Sequence, residues 1–158
     1  MRGDTKVIAE LNQALSAELS AIVQYMVQSE MCENWGYDKL AGVVRQRAFQ
    51  EMRHAEGLIE RILYLDGEPN VSVALQPVIG SNVEAQIKAG LKDESEAVGM
   101  YNNSIKICVD AGDNGTRELF LSMVKDEEAH VEWLEAQLQQ IQDTGIANYL
   151  AQQTKPGE

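Results

Sequence analysis

Two tetrapeptides carry the residues best suited to chemistry: Glu51-Met52-Arg53-His54 and Glu127-Glu128-Ala129-His130, both Glu-x-x-His. Each follows a lone glutamate at the same distance. Glu18 stands 33 residues before Glu51 and Glu94 stands 33 before Glu127, so the set repeats at an offset of 76. On a helix, residues i and i+3 share one face about 5–6 Å apart. The carboxylate and imidazole of each motif are therefore placed to grip one cation. Two such motifs, with one Glu from each of two further helices, make the donor set of a dinuclear iron or manganese carboxylate centre. Oxygen-rich donors with imidazole, and no Cys among the six, argue against a thiolate zinc site. A single Glu-x-x-His arises by chance in any acidic helix; two copies with matched upstream carboxylates carry the weight. Left unpaired in an apolar core, four carboxylates and two imidazoles would be costly. A hydrogen-bonded structural cluster offsets part of that cost, and two divalent cations offset it more completely.

Four helices must bring these groups together. From about Thr5 to Asn34, Val7 or Ile8, Leu11, Leu15, Ile22 and Val23 recur at helical spacing, and Glu18 and Tyr25 fall inside that stripe. Trp35-Gly36 stops it. Asp38 is placed to cap a second helix, about Lys39 to Asp66, whose stripe of Leu40, Val44, Ala48, Leu58, Ile62 and Leu65 includes Glu51 and His54. Ser81 and Glu84 read as a capping box for a third helix, about Val83 to Ala111, with Val83, Ile87, Leu91, Val98, Tyr101, Ile105 and Cys108 around Glu94. After the turn Gly112-Asp113-Asn114-Gly115, a fourth runs from about Thr116 to Asp143 and carries Glu127 and His130 among Phe120, Met123, Leu134 and Ile141. Residues 146–150 suit a short extra helix, and the tail from Gln152 to Glu158 reads as frayed. The connection at 67–81, with Pro69, Pro77 and Gly80, is long enough to travel the length of a bundle. The fold expected is all-α: an antiparallel four-helix bundle with a long crossover and a short C-terminal fifth helix, one domain over residues 1–158. Each interruption falls near mid-length, so the polar groups share one level.

Bulk composition narrows the partners. A formal charge of −12 argues against nucleic acid, whose binders concentrate Lys and Arg. No long apolar run suits a membrane span, and Met1-Arg2-Gly3-Asp4-Thr5 lacks a secretory core behind it. Cys32 and Cys108 are too few for a disulfide framework and read as reduced thiols, so a cytoplasmic protein is expected.

End to end, the chain resembles the bacterioferritins, the haem-containing branch of the ferritins. The resemblance rests on Met1-Arg-Gly-Asp-Thr-Lys-Val-Ile8, Asn34-Trp-Gly36, Glu51-Met-Arg-His54, Ile59-Glu-Arg-Ile-Leu63, Asp126-Glu-Glu-Ala-His130 and Asn148-Tyr-Leu150. It implies a ferritin-like fold and a ferroxidase centre held by Glu18, Glu51, His54, Glu94, Glu127 and His130, with Glu51 and Glu127 bridging. The implied reaction is oxidation of two Fe²⁺ by O₂ or H₂O₂, with Fe³⁺ mineral stored in a twenty-four-subunit cage built from dimers. Metal-centred chemistry of this kind leaves the protein to supply geometry and tuning.

Several further residues gain meaning from the resemblance. Met52 lies about 100° round the helix from Glu51 and alone reads as a flexible apolar residue at a helix interface. In the family this Met, one from each of two subunits, ligates a haem (b-type or a related iron porphyrin) that serves electron transfer in iron release, with a ferredoxin-type reductase as a candidate partner. A symmetric dimer supplies the same side chain twice, as such ligation requires. Tyr25 matches a position near the di-iron site, where it would give an electron or a hydrogen bond. Tyr101 reads as core, because large aromatics usually pack. Trp35 and Trp133 match as well; Trp133 reads as interface packing, with a radical relay as the alternative. Asp126 is placed to orient a ligating His, and its counterpart before Glu51 is Gln50.

The chain departs from some family members at Gln46 and Gln50, where ionisable or metal-binding side chains face the inner cavity. Amides there make an inner-surface iron site unexpected and point to mineral growth through the ferroxidase site as a gated pore. Other functions fit less well. A rubrerythrin-type di-iron peroxidase or oxidase without storage usually adds a Cys₄ site that two cysteines cannot make. Small DNA-protecting cages share their ligands between subunits. An interaction bundle whose polar core only sets register would hold no metal.

Overall fold

The computed structural model describes residues 1–72 and 77–154, and among them only helices and their connections occur. They are α1 (Thr5–Asn34), α2 (Asp38–Tyr64), α3 (Val83–Asp110), α4 (Asn114–Thr144) and α5 (Ile146–Ala151). The four long helices have 30, 27, 28 and 31 residues, about 40–47 Å at 1.5 Å per residue. Short connections make α1–α2 and α3–α4 antiparallel hairpins, and α1 also packs on α3 and α4 on α2. This is the expected bundle with its short fifth helix.

Side chains and backbone groups at the helix starts show what the sequence placed well and what it misplaced. Asp4 caps α1, accepting from the amides of Lys6 (2.7 Å) and Val7 (3.3 Å). Asp38 caps nothing: it lies in the first turn of α2, and no side chain caps that end. The carbonyl of Gln153 instead accepts the free Lys39 N–H at 3.0 Å, satisfying a donor that a helix start leaves unpartnered. The Ser81/Glu84 box is also absent; Asn82 caps α3 by accepting from Ala85 N at 2.8 Å. Asp113 caps α4 through Thr116 N (2.9 Å) and also takes the Arg61 guanidinium (2.9 Å) from the end of α2. Gly115 lies under that guanidinium, where a Cβ would come within 2.5 Å of Arg61 Nη2.

Both ends of the crossover are docked. Asn12 binds the carbonyl of Glu68 and the amide of Asn70 at its start. Gln24 and Gln28 bind Val78 N and Ile79 O at its end. Gly80 turns the chain at φ +79, and a Cβ there would meet Gln86 N at 2.9 Å. The rest of the expected connection, residues 73–76, lies outside the described residues. The tail expected to fray from Gln152 is instead tied down as far as Gln153, which is buried as well as bonded to α2; its last residues, 155–158, lie outside the described residues.

The apolar core comes in two blocks. One gathers Val7, Leu11 and Leu15 with Leu58, Ile62, Phe120 and Met123. The other gathers Leu40, Val83, Ile87, Leu134, Ile141 and Tyr149. On every long helix, the Glu or Glu-plus-His positions fall in sequence between the residues given to the two blocks. A polar layer therefore divides the core at mid-height. Each block buries enough apolar surface to hold the helices together, at roughly 25 cal/mol per Å², and that packing holds the costly layer in place.

Candidate metal centre

Within the polar layer, six side chains converge from four helices: Glu18 from α1, Glu51 and His54 from α2, Glu94 from α3, Glu127 and His130 from α4. All are buried. They form two groups, Glu18-Glu51-His54-Glu127 and Glu51-Glu94-Glu127-His130, and in each the donor atoms lie within 4.8 Å of one another. Glu51 and Glu127 belong to both groups, so each is placed to bridge. His54 Nδ1 stands 3.5, 3.4 and 3.2 Å from oxygens of Glu18, Glu51 and Glu127. His130 Nδ1 stands 3.3, 3.4 and 3.3 Å from oxygens of Glu51, Glu94 and Glu127.

The outer ring nitrogens fix which atom faces inward. His54 Nε2 meets Asp126 Oδ2 at 2.8 Å, and His130 Nε2 meets Gln50 Oε1 at 2.5 Å. Both partners accept, so Nε2–H donates outward and the Nδ1 lone pair is directed at the carboxylates. Both Nδ1 atoms, with Glu18 Oε2, Glu51 Oε1 and both oxygens of Glu127, are buried without a hydrogen-bond partner. Unsatisfied buried groups are rare because each costs about 1–3 kcal/mol or more. Six of them in one layer is the pattern that a pair of cations would satisfy.

In the metal-free protein, protons balance the charge. Burial raises the Glu18 carboxyl well above its ordinary range, and the negative charge of Glu51 adds to it. Burial also opposes charge on Glu51, yet the neighbouring Glu18 carboxyl and the His130 and His54 rings beside it outweigh that and hold the Glu51 carboxyl low. For both imidazoles burial favours the neutral ring. The close approach of the Glu127, Glu18 and Glu51 carboxylates to Nδ1 raises His54 strongly, and that of Glu127 and Glu51 raises His130.

Two tyrosines close the ends of the cluster. The Tyr25 hydroxyl donates to Glu94 Oε1. The Tyr101 hydroxyl donates to Glu18 Oε1 at 2.5 Å. Tyr101 is fully buried and packs on Phe120, ring centroids 5.7 Å apart, as a core residue would. The core reading missed the second half of its environment, the bond to Glu18. The same offset of 76 that relates the two Glu-x-x-His motifs relates Tyr25 to Tyr101, and it was the available signal. A cavity of about 140 Å³ between α1 and α3 is lined by Ser20, Gln24, Asp93, Glu96 and Met100 together with Glu18, Glu51, Glu94 and Glu127.

Comparison with known proteins agrees with this geometry. The ferritin-like domain family matches residues 8–144. The bacterioferritin of Mycolicibacterium paratuberculosis is 41% identical over 152 residues, 96% of each chain. That of Brucella melitensis biotype 1 is 39% identical over 149 residues, covering 94% of this chain and 92% of the relative. That of Rhodobacter capsulatus is 40% identical over 139 residues, covering 87% and 86%. The chain belongs to the bacterioferritin family.

As a bacterioferritin, the chain places its remaining singled-out residues as follows. Met52 points away from the metal cluster and is 42% exposed, with Phe49 three residues before it and 39% exposed. The two share one outer face of α2. Gln50 is turned to His130, and Gln46 is exposed. Trp133 is partly buried under the Arg47 guanidinium, 5.5 Å from its ring centre, and lines a narrow cavity with Tyr25. Trp35 lies at the end of α1, 36% exposed. Cys32 and Cys108 are free thiols, both buried, and burial pushes each up to about 11. No described helix is long and apolar enough to cross a membrane.

Proposed function

We propose that this bacterioferritin, acting as one domain over residues 1–158, is a cytoplasmic ferroxidase and iron store. Each chain binds two Fe²⁺ and oxidises them with O₂ (4 Fe²⁺ + O₂ + 4 H⁺ → 4 Fe³⁺ + 2 H₂O) or with peroxide. The Fe³⁺ mineral collects inside a cage of twenty-four chains. The observation that carries this reading is the pair of four-residue groups sharing Glu51 and Glu127, with six unsatisfied buried atoms turned inward. The relatives' name, bacterioferritin, supports iron as the cargo.

The residues divide the work. Glu18 and Glu94 are terminal carboxylates, each steadied by a tyrosine hydroxyl. Glu51 and Glu127 bridge, so a shift in either changes both positions together. His54 and His130 offer Nδ1 because Asp126 and Gln50 hold Nε2–H. Carboxylates suit the task because they accept both Fe²⁺ and Fe³⁺. The cavity between α1 and α3 gives Fe²⁺ and oxidant a way in, and its acidic lining favours a cation.

Met52 is the residue that would hold a haem between two chains. Its exposed thioether beside Phe49 fits a ligand supplied twice by a two-fold dimer. When bound, a haem supplies one-electron transfer for iron release, with a ferredoxin-type reductase as donor.

The test is anaerobic Fe²⁺ titration of the metal-free protein, then exposure to O₂, read by absorbance. Wild type should bind two Fe²⁺ per chain and oxidise them quickly. Glu18→Ala should slow oxidation by more than the roughly 10- to 100-fold that losing an outer partner of a ligand costs. Met52→His should shift or abolish the haem Soret band and leave oxidation intact. Light scattering of the same samples reads the assembly. No saturable oxidation in wild type would end the storage reading.

A further inference from the structure

The two tyrosines at the cluster stand in matched positions. Tyr25 and Tyr101 each follow a terminal glutamate by seven residues, Glu18 and Glu94. Each reaches across to the glutamate of the other hairpin: Tyr25 of α1 donates to Glu94 of α3, and Tyr101 of α3 donates to Glu18 of α1. Both phenols are buried, and each bonds directly to a carboxylate of a different one of the two metal groups. A buried phenol with its proton already directed at a carboxylate is well arranged to lose an electron and a proton together.

Electron counting gives this symmetry a use. Reduction of O₂ to two waters takes four electrons. Two Fe²⁺ in one centre supply two. One tyrosine raises the total to three and leaves the reaction an electron short; two tyrosines complete it. We propose that Tyr101 is a second electron donor, the counterpart of Tyr25, so that one centre reduces O₂ fully in a single turnover: 2 Fe²⁺ + 2 TyrOH + O₂ + 2 H⁺ → 2 Fe³⁺ + 2 TyrO• + 2 H₂O. Each phenolic O–H bond breaks. The proton of Tyr101 passes along its hydrogen bond to Glu18 and leaves in the water formed, and the electron goes to O₂. Further Fe²⁺ restores each phenol: TyrO• + Fe²⁺ + H⁺ → TyrOH + Fe³⁺. The benefit is that no peroxide escapes into a protein filled with Fe²⁺.

This rests on the ferroxidase reading, and the experiment separates the two. Wild type, Tyr25→Phe, Tyr101→Phe and the double variant are loaded anaerobically with two Fe²⁺ per chain, mixed with O₂ and freeze-quenched for electron paramagnetic resonance. Released H₂O₂ is measured in parallel. Anaerobic Co²⁺ titration, read by its visible bands, checks that each variant still binds two cations. The expected result is an organic radical in wild type and in both single variants, lost only in the double variant. Peroxide should be absent in wild type and reach one per two Fe²⁺ in the double variant. A tyrosine that only steadied Glu18 would change oxidation rate without changing radical or peroxide. Tyr25→Phe with an intact Co²⁺ site and no radical, beside a radical in wild type, would overturn the role of Tyr101. Wild type that oxidises no iron would overturn the ferroxidase reading, and this inference with it.

Discussion

His54 Nε2 stands 2.8 Å from a carboxylate oxygen of Asp126. At the matched position, His130 meets an uncharged amide, Gln50. A carboxylate partner makes an imidazole a stronger donor than an amide does, so two metal positions built from otherwise identical parts are unequal. Anaerobic Co²⁺ titration followed by calorimetry should show two steps, the tighter at the His54 position. Asp126→Asn should weaken that step about 10- to 100-fold and merge the two. Gln50→Glu should tighten the weaker one.

Protons hold the places of the cations in the empty site. His54 and His130 are raised and Glu18 is raised, so each keeps its proton to a higher pH than the free group and must give it up when metal binds. Zn²⁺ loading in weak buffer at pH 7 should release protons, and apparent affinity should fall as pH is lowered. The stability effect has the opposite sense. Groups whose folded pKa is raised stabilise the metal-free protein fully below their unfolded values, about 4.3 for Glu and 6.5 for His. That contribution fades as pH rises through the folded values. Across neutral to alkaline pH the melting temperature should decline without metal and hold steady with Zn²⁺.

The two Glu127 oxygens stand 3.2 Å from His54 Nδ1 and 3.3 Å from His130 Nδ1, so in the metal-free state this carboxylate is a close partner of both imidazoles. Glu127→Leu should lower metal-free stability by about 3–5 kcal/mol, as when one partner of a buried charge pair is removed. The same change should abolish the gain that metal gives. Urea denaturation with and without Zn²⁺ measures both.

Gln46 is exposed on α2, and Gln50 is engaged with His130, leaving no charged pair there to gather iron. Gln46→Ala should therefore leave mineral growth unchanged while Glu18→Ala stops it, read by absorbance during repeated Fe²⁺ additions. Loss of mineral growth in Gln46→Ala with fast first-turnover oxidation would show that iron takes a path outside the ferroxidase site.

The convergence of the six side chains was legible because its signal is arithmetic. Carboxylates and imidazoles on core stripes are rare enough that a repeat at a fixed offset stands out, and all six do converge. Helix interiors were equally legible, since burial of Leu11, Leu58, Ile87 and Leu134 follows the 3.6-residue period. Helix starts were less so. Asp38 and Ser81 are good caps by type, but the Gln153 carbonyl and Asn82 serve instead. The first of these is a contact between residues over a hundred positions apart, which no local pattern carries. Tyr101 was hidden for a different reason: its ring obeys the packing rule, and only its last atom departs from it.

The two metal groups have one more consequence. The first takes three residues from the α1–α2 hairpin and one, Glu127, from the other; the second takes three from the α3–α4 hairpin and one, Glu51, from the first. Neither hairpin alone holds a full set. A chain still emerging from the ribosome, or cut in its crossover and come apart, has no place to seat a reactive iron pair. Under the proposed function, redox competence would therefore depend on docking of the halves, because a half-made copy lacks the full donor set of either position.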